Sequence, residues 1–154
     1  MELKPGCKQT AVGPIPDDWE ACPLAHIAAL VRNAIVGGPF GSDLVSSDYV
    51  EYGVPVIRGQ NIGGRFVSGD FAFVTEGKAQ TLESNLARVD DLIFTQRGTL
   101  GQVSQIANGA FDRYLISQSQ MKVTLDRKTA DPSFFYYVFS SSIQQEIIRK
   151  NTIQ

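Results

Sequence analysis

Between residues 54 and 125 the apolar residues come in short runs, each cut off by glycine or by a polar stretch. That rhythm predicts short strands between glycine turns. Strands are expected at 54–58, 71–74, 92–94, 103–106 and 114–116, with Gly98 and Gly101 making the turn into the fourth. From 121 to 125, apolar Met121, Val123 and Leu125 alternate with Lys122 and Thr124, the pattern of a half-buried strand. Thr75 can cap a short helix over 76–86.

The two ends differ from this body. Pro14-Ile15-Pro16-Asp17-Asp18-Trp19-Glu20 closes a lead-in segment, residues 1–20, which the prolines keep extended and Trp19 anchors. Residues 23–31, apolar and Ala-rich, predict a short helix with Pro23 in its first turn. Gly37-Gly38-Pro39-Phe40-Gly41-Ser42 reads as a tight loop. At the far end, Asp131 is an N-cap and Pro132 a first helical residue, with Phe135, Val138 and Phe139 on one helical face. Ser142 with Gln145 makes a capping box for a second helix carrying Ile143, Ile147 and Ile148. The expectation is one α+β domain over 1–154, a β-rich body followed by an αα-hairpin at 131–150.

Hydrophobic residues make up 43% of the 154, enough for a real core, so disorder is excluded. No apolar run approaches the roughly 20 residues of a membrane span. Residues 1–10 contain no apolar signal core, and two cysteines cannot make a disulfide scaffold, so a soluble protein of the reducing cytoplasm is expected. One histidine and two cysteines leave no structural zinc set, and no metal site is expected.

Standard catalytic signatures are missing. The glycines at 37–42 lack the Lys-Ser/Thr ending of a phosphate loop, no Gly-x-Gly-x-x-Gly follows a strand, and no Gly-x-Ser-x-Gly elbow occurs. No Asn precedes a Pro, so the Asn-Pro-Pro-aromatic motif of amino-methyltransferases is missing too. Two acid-x-Lys pairs, Glu76 with Lys78 and Asp126 with Lys128, have the spacing of Mg²⁺-dependent nucleases, but the pair is common by chance and solvated charges beside turns are the ordinary explanation. Cys22 and His26 lie four apart without an orienting acid.

Binding chemistry is better represented. The net charge of -2 argues against a generic nucleic-acid coat, yet the charge is unevenly spread. Residues 54–69, 92–111 and 113–125 contain no acid, and all three windows hold arginine among Gln, Asn, Ser or Thr. They include Arg58-Gly59-Gln60-Asn61, Gln96-Arg97-Gly98-Thr99 and Ser117-Gln118-Ser119-Gln120. Each is a polar loop leaving an apolar strand. Arginine offers two donors to guanine, and Asn or Gln offers a donor and an acceptor to adenine. Serine and threonine hydroxyls serve bases or phosphates, and a missing carboxylate removes repulsion from phosphate. Ordinary solvated turns would show the same composition.

These segments, taken in order, resemble a known family. Ile15-Pro16-Asp17-Asp18-Trp19-Glu20, Gly38-Pro39-Phe40-Gly41-Ser42, Gly53-Val54-Pro55-Val56-Ile57-Arg58-Gly59-Gln60-Asn61-Ile62, Asp91-Leu92-Ile93-Phe94-Thr95-Gln96-Arg97-Gly98-Thr99-Leu100-Gly101, Leu115-Ile116-Ser117-Gln118-Ser119-Gln120-Met121 and Asp131-Pro132-Ser133-Phe134-Phe135-Tyr136-Tyr137 are similar to the target recognition domain of type I restriction-modification specificity subunits. The resemblance implies a twisted, double-β-helix-like body followed by an αα-hairpin. It implies a non-catalytic subunit in which two recognition domains, held apart by spacer helices, each read half of a bipartite double-stranded DNA target. Methyltransferase subunits would bring S-adenosylmethionine, and motor-nuclease subunits would use ATP and Mg²⁺, leaving no cofactor to this chain. The spacer helix and second recognition domain have no counterpart in these residues, so a fragment or half-subunit is expected.

Arg58, Gln60, Asn61, Gln96, Arg97, Gln118 and Gln120 are the expected base or backbone readers. Thr99, Ser117 and Ser119 are the expected phosphate contacts. Two competing expectations are a small nuclease using Glu76 or Asp126, and a protein-interaction module built on the aromatic run 134–139. The preferred reading of that run is the core of the two helices themselves.

Overall fold

The computed structural model describes residues 2–151. The chain opens with β1 (Cys7–Thr10) and β2 (Gly13–Pro16), an antiparallel pair in which Cys7 faces Pro16 and Thr10 faces Gly13. The lead-in is therefore a hairpin rather than a simple extended arm. Gly13 takes φ of +99° at its turn, and the Thr10 hydroxyl donates to the Gly13 carbonyl at 2.7 Å. Trp19 then meets Phe134 edge-on, with ring centroids 5.3 Å apart.

The helix expected over 23–31 does not form. Only a 3-10 turn, Leu24–His26, appears, with Pro23 at its N-cap. Ala28 instead bridges Leu125, and backbone bonds Ala29 N–H to Thr124 O (2.9 Å) and Asp126 N–H to Ile27 O (2.8 Å) continue the pairing. Leu24, Ile27 and Ala28 are thereby laid along the core's edge, and tertiary pairing overrides the local preference of an Ala-rich segment.

The body consists of β3 (Ile35–Gly37), β4 (Tyr49–Val50), β5 (Val54–Ile57), β6 (Ala72–Val74), α1 (Glu76–Thr81), β7 (Leu86–Ala87), β8 (Leu92–Thr95), β9 (Val103–Gln105), β10 (Tyr114–Ile116) and β11 (Gln120–Val123). The strands form a five-stranded sheet, order β4-β6-β5-β10-β7, and a four-stranded sheet, order β3-β11-β8-β9. The β5–β10 pair is parallel and the others are antiparallel. The expected strands are present, and Thr75 caps α1 by accepting from Lys78 N–H.

Short continuous apolar runs suit strands covered on both faces. Along β10, Leu115 packs with Val54, Val56, Ala79 and Leu82, whereas Tyr114 and Ile116 point the other way to Ile57, Ile93 and Ile106. Along β8, Ile93 joins that middle cluster while Leu92 and Phe94 join Val103, Val123 and Leu125. The period-2 alternation thus builds three apolar layers, with the middle one between the sheets. Helix α1 supplies Ala79 to one outer layer, and α2 (Pro132–Ser140) supplies Phe135 and Phe139 to the other.

Asp131 caps α2 as expected, accepting from Phe134 N–H at 2.9 Å. The next cap shifts by one residue: Ser141, not Ser142, caps α3 (Ser142–Lys150) and accepts from Gln144 N–H. Gln145 leaves the expected box, and its amide donates to Gly101 O (2.6 Å) and Phe139 O (2.8 Å). Those carbonyls, one of them at the end of α2, offer stronger use of a side-chain donor than a box whose N-cap has moved. Arg65 lies over Phe66, Tyr136 and Tyr137, with its guanidinium carbon 4.3 Å from the Tyr136 centroid.

Candidate nucleic-acid interface

β10 and β11 are consecutive in the chain but belong to different sheets, so Ser117, Gln118 and Ser119 form the crossover between them. Around this crossover the three acid-free windows meet. The Ser119 carbonyl accepts from the backbone N–H of Gln96 (2.8 Å) and of Arg97 (3.2 Å), which fastens the loop after β8 to it. The Gln96 amide also donates to Gln118 O at 3.0 Å. The 38–44 loop arrives from the other side. Gly38 N–H donates to Gln120 O at 2.8 Å, and a Cβ on Gly38 would lie 2.0 Å from the Ser117 carbonyl oxygen. Only glycine permits that approach.

Two adjoining clefts result. One, of about 520 Å³, is lined by Ser46, Tyr49, Arg58, Ser117, Gln118 and Ser119 among others, and no carboxylate lines it. The second, about 600 Å³, has Phe40, Asp43, Asn85, Gln96, Arg97 and Gln118 in its walls. Gln118 is the partition. Its amide donates to Gly41 O (3.2 Å) and Leu44 O (2.7 Å), pinning the loop between the clefts.

The expected readers separate by burial. Arg58, Gln96, Arg97, Ser117, Gln118 and Ser119 are brought together at the clefts. Gln60 is exposed at the flank, with its amide donating to Asp70 O at 3.2 Å, and Thr99 is exposed on the Gly98–Gly101 turn. Neither lines a cleft.

Two expectations need correction. Asn61 is 2% exposed, and its amide donates to Ser68 O (3.0 Å) and Asp70 O (2.9 Å) while its oxygen accepts from Arg58 N–H (2.9 Å). Gln120 is fully buried; with its amide nitrogen donating to Ile57 O (3.1 Å), its oxygen accepts from Gly59 N–H (3.2 Å). A side chain closed off and bonded in this way cannot present its amide to a base edge. Both residues frame the Arg58 loop instead.

Sequence reasoning passed over Phe40, which is 83% exposed on the rim of the second cleft, and Ser46, Tyr49 and Asn85 in the walls. For Phe40 the signal was legible: an aromatic between Gly-Pro and Gly has little core to join. Asn85, whose amide donates to Gly37 O at 2.8 Å, carried no such signal.

The competing sites are otherwise occupied. Glu76 pairs with Arg113, and Lys78 pairs with Asp48 at 3.1 Å. Asp126 accepts from Lys128 N–H within a turn. Among the described residues no group of three or more His, Cys, Asp or Glu is placed to hold a metal ion. Cys22 and His26 are both exposed. Of the aromatic run, Phe135, Tyr136 and Phe139 are partly buried and pack against the core, leaving Phe134 and Tyr137 the more exposed members. No helix among the described residues is long and apolar enough to cross a membrane.

No family model matches the sequence, and no curated protein matches it either. Solved structures do match in fold. One is the HsdS subunit from Thermoanaerobacter tengcongensis, with a TM-score of 0.55 and 16% identity over 100% of this chain. Another is a chain from a type I R-M system studied for its complex assembly and conformational transition, with a TM-score of 0.57 and 16% identity over 87% of this chain. The chain spans about a third of the length of each, 32% in both cases. The fold is thus the α+β fold of one part of these type I restriction-modification proteins.

Proposed function

We propose that this chain is a target recognition domain of a type I restriction-modification specificity subunit. It binds double-stranded DNA and reads a short sequence. It carries no catalytic activity; methyltransferase subunits supply S-adenosylmethionine, and motor-nuclease subunits supply the ATP- and Mg²⁺-dependent cutting. The proposal includes a cytoplasmic location, and a double-β-helix-like body ending in an αα-hairpin. One such domain reads one half of a bipartite target.

The observation that carries this reading is the convergence of Arg58, Gln96, Arg97 and the 117–119 crossover on two adjoining clefts. Three stretches far apart in sequence supply donors, acceptors and positive charge to one surface, which is the chemistry of base and phosphate recognition. The likeness in fold to the HsdS subunit supports it. The mild overall negative charge fits a subunit whose partners provide much of the phosphate attraction.

Selection from random duplex DNA tests the reading, performed at moderate salt with the chain alone and with methyltransferase subunits. An enriched motif of a few base pairs is expected in at least the second format. Absence of enrichment in both would overturn it.

A further inference from the structure

We infer that the cleft between the 41–46 loop and the 117–119 crossover is a phosphate-binding subsite, with Arg58 as its cation. The inference rests on the DNA-reading proposal for its natural ligand, a phosphodiester of the DNA backbone.

Arg58 is only partly exposed, and its Nε–H is buried without an acceptor. No carboxylate forms a salt bridge with it among the described residues. A buried guanidinium donor without a partner is unfavourable, and an anion held by the same guanidinium in the adjoining cleft would offset that cost. The cleft's walls match that need. Ser46, Tyr49 and Ser119 line it beside Ser117, whose hydroxyl is already bonded to the Gln120 amide, and neither Asp nor Glu lines the space.

Nearby acids are directed elsewhere. Asp43 lines the second cleft. Asp48 accepts from Val45 N–H (2.8 Å) and pairs with Lys78, and these contacts hold its carboxyl below the usual range as a committed anion. The positive charge of Arg58 is therefore left for an external anion.

The subsite is also held in shape. Asn61 fixes the Arg58 backbone, Gln120 fixes Gly59, and Gln118 holds the 41–44 loop. A frame built before binding lowers the ordering penalty of association.

Two measurements on the full chain test the subsite. In the first, inorganic phosphate is titrated while the arginine Nε–H resonances are followed by NMR. The Arg58 resonance is expected to shift saturably, with severalfold weaker binding in Ser46→Ala and Ser119→Ala. In the second, duplexes carrying a single neutral methylphosphonate are bound by wild type and by Arg58→Gln, or by Ser119→Ala should the first variant not fold. At one position the wild type is expected to lose about tenfold in affinity, and the variant no more there.

Saturation by phosphate or this coupling at one methylphosphonate, either alone, upholds the subsite. Phosphate saturation without any duplex binding, by the chain alone or with methyltransferase subunits, would keep the anion site and end the DNA reading. Sequence-selective duplex binding with no Arg58 response and equal methylphosphonate losses in both proteins would end the subsite and keep the DNA reading.

Discussion

The Gln118 side-chain amide donates to the Leu44 carbonyl at 2.7 Å, joining positions 74 residues apart. This bond, with the second to Gly41 O, sets the wall between the two clefts and holds the loop that carries Phe40. Gln118→Leu keeps the volume and removes the donor. Global stability is expected to fall by about 1–2 kcal/mol in urea unfolding. Hydrogen exchange of the Asp43 amide, bonded to Phe40 O, is expected to quicken because its turn is no longer held. Unchanged protection at Asp43 would mean the turn holds itself, and that Gln118 is free for a ligand.

Asn61 shows that a residue suited to reading a base can belong wholly to the frame. Its three hydrogen bonds lie within a nearly closed environment. Asn61→Ala leaves the Ser68 carbonyl and the Arg58 N–H without this partner, while the Asp70 carbonyl keeps the Gln60 amide, and this is expected to cost about 2–3 kcal/mol of folding stability. The DNA motif selected by the folded fraction is expected to stay the same. A stable variant with an altered motif would return Asn61 to the readers.

Asn61 and Gln120 also mark the limit of the sequence reading. Gln96, Gln118, Gln120 and Asn61 carry the same functional group in similar polar windows. Only the path of neighbouring chain segments decides that Gln120 is enclosed between Ile57 and Gly59 while Gln118 faces the clefts. Burial from tertiary packing has no local signature in a four-residue polar loop. Strands β8 and β10 were legible because each is a short apolar run covered on both faces. The β1–β2 hairpin was hidden, since Cys7–Thr10 and Gly13–Pro16 lack an alternating apolar pattern. The lost helix near Pro23 was a propensity overruled by pairing with the segment after β11.

Asp91 gives a pH prediction. Burial raises its carboxyl above the ordinary 3.8, outweighing bonds from the Thr124 hydroxyl (2.7 Å) and the Arg88 N–H (2.9 Å) and attraction to Lys122 and Arg88. A raised folded-state value means the native protein binds the proton more tightly than the unfolded chain does. The unfavourable charge of Asp91 therefore weighs fully on stability above the raised value. It is relieved as pH falls through that value, and the relief is complete below about 3.8. In the Asp91→Asn variant the neutral amide could keep both bonds, its oxygen accepting from Arg88 N–H and its nitrogen donating to the Thr124 hydroxyl. The stability of wild type relative to Asp91→Asn is thus expected to rise as pH falls through this window, then level off. Urea unfolding at a series of pH values measures it; a difference that falls with acid would show that the bonds, not burial, dominate.

Arg97 decides whether the second cleft reads bases. Its backbone N–H is fixed to Ser119 O at 3.2 Å, while its side chain is exposed beside Phe40 and Gln96 in the cleft wall. A guanidinium on an anchored backbone can meet guanine O6 and N7 with two parallel donors. On that geometry, Arg97→Ala is expected to lower affinity for the selected duplex by roughly 1–3 kcal/mol and to relax one target position. Arg97→Lys should recover the charge without the fork, so affinity returns further than discrimination does. Binding titrations against every single-base variant of the target, repeated at several salt concentrations, separate the alternatives. A uniform loss across all sequences, with the salt slope reduced by about one, would move Arg97 from a base to a phosphate.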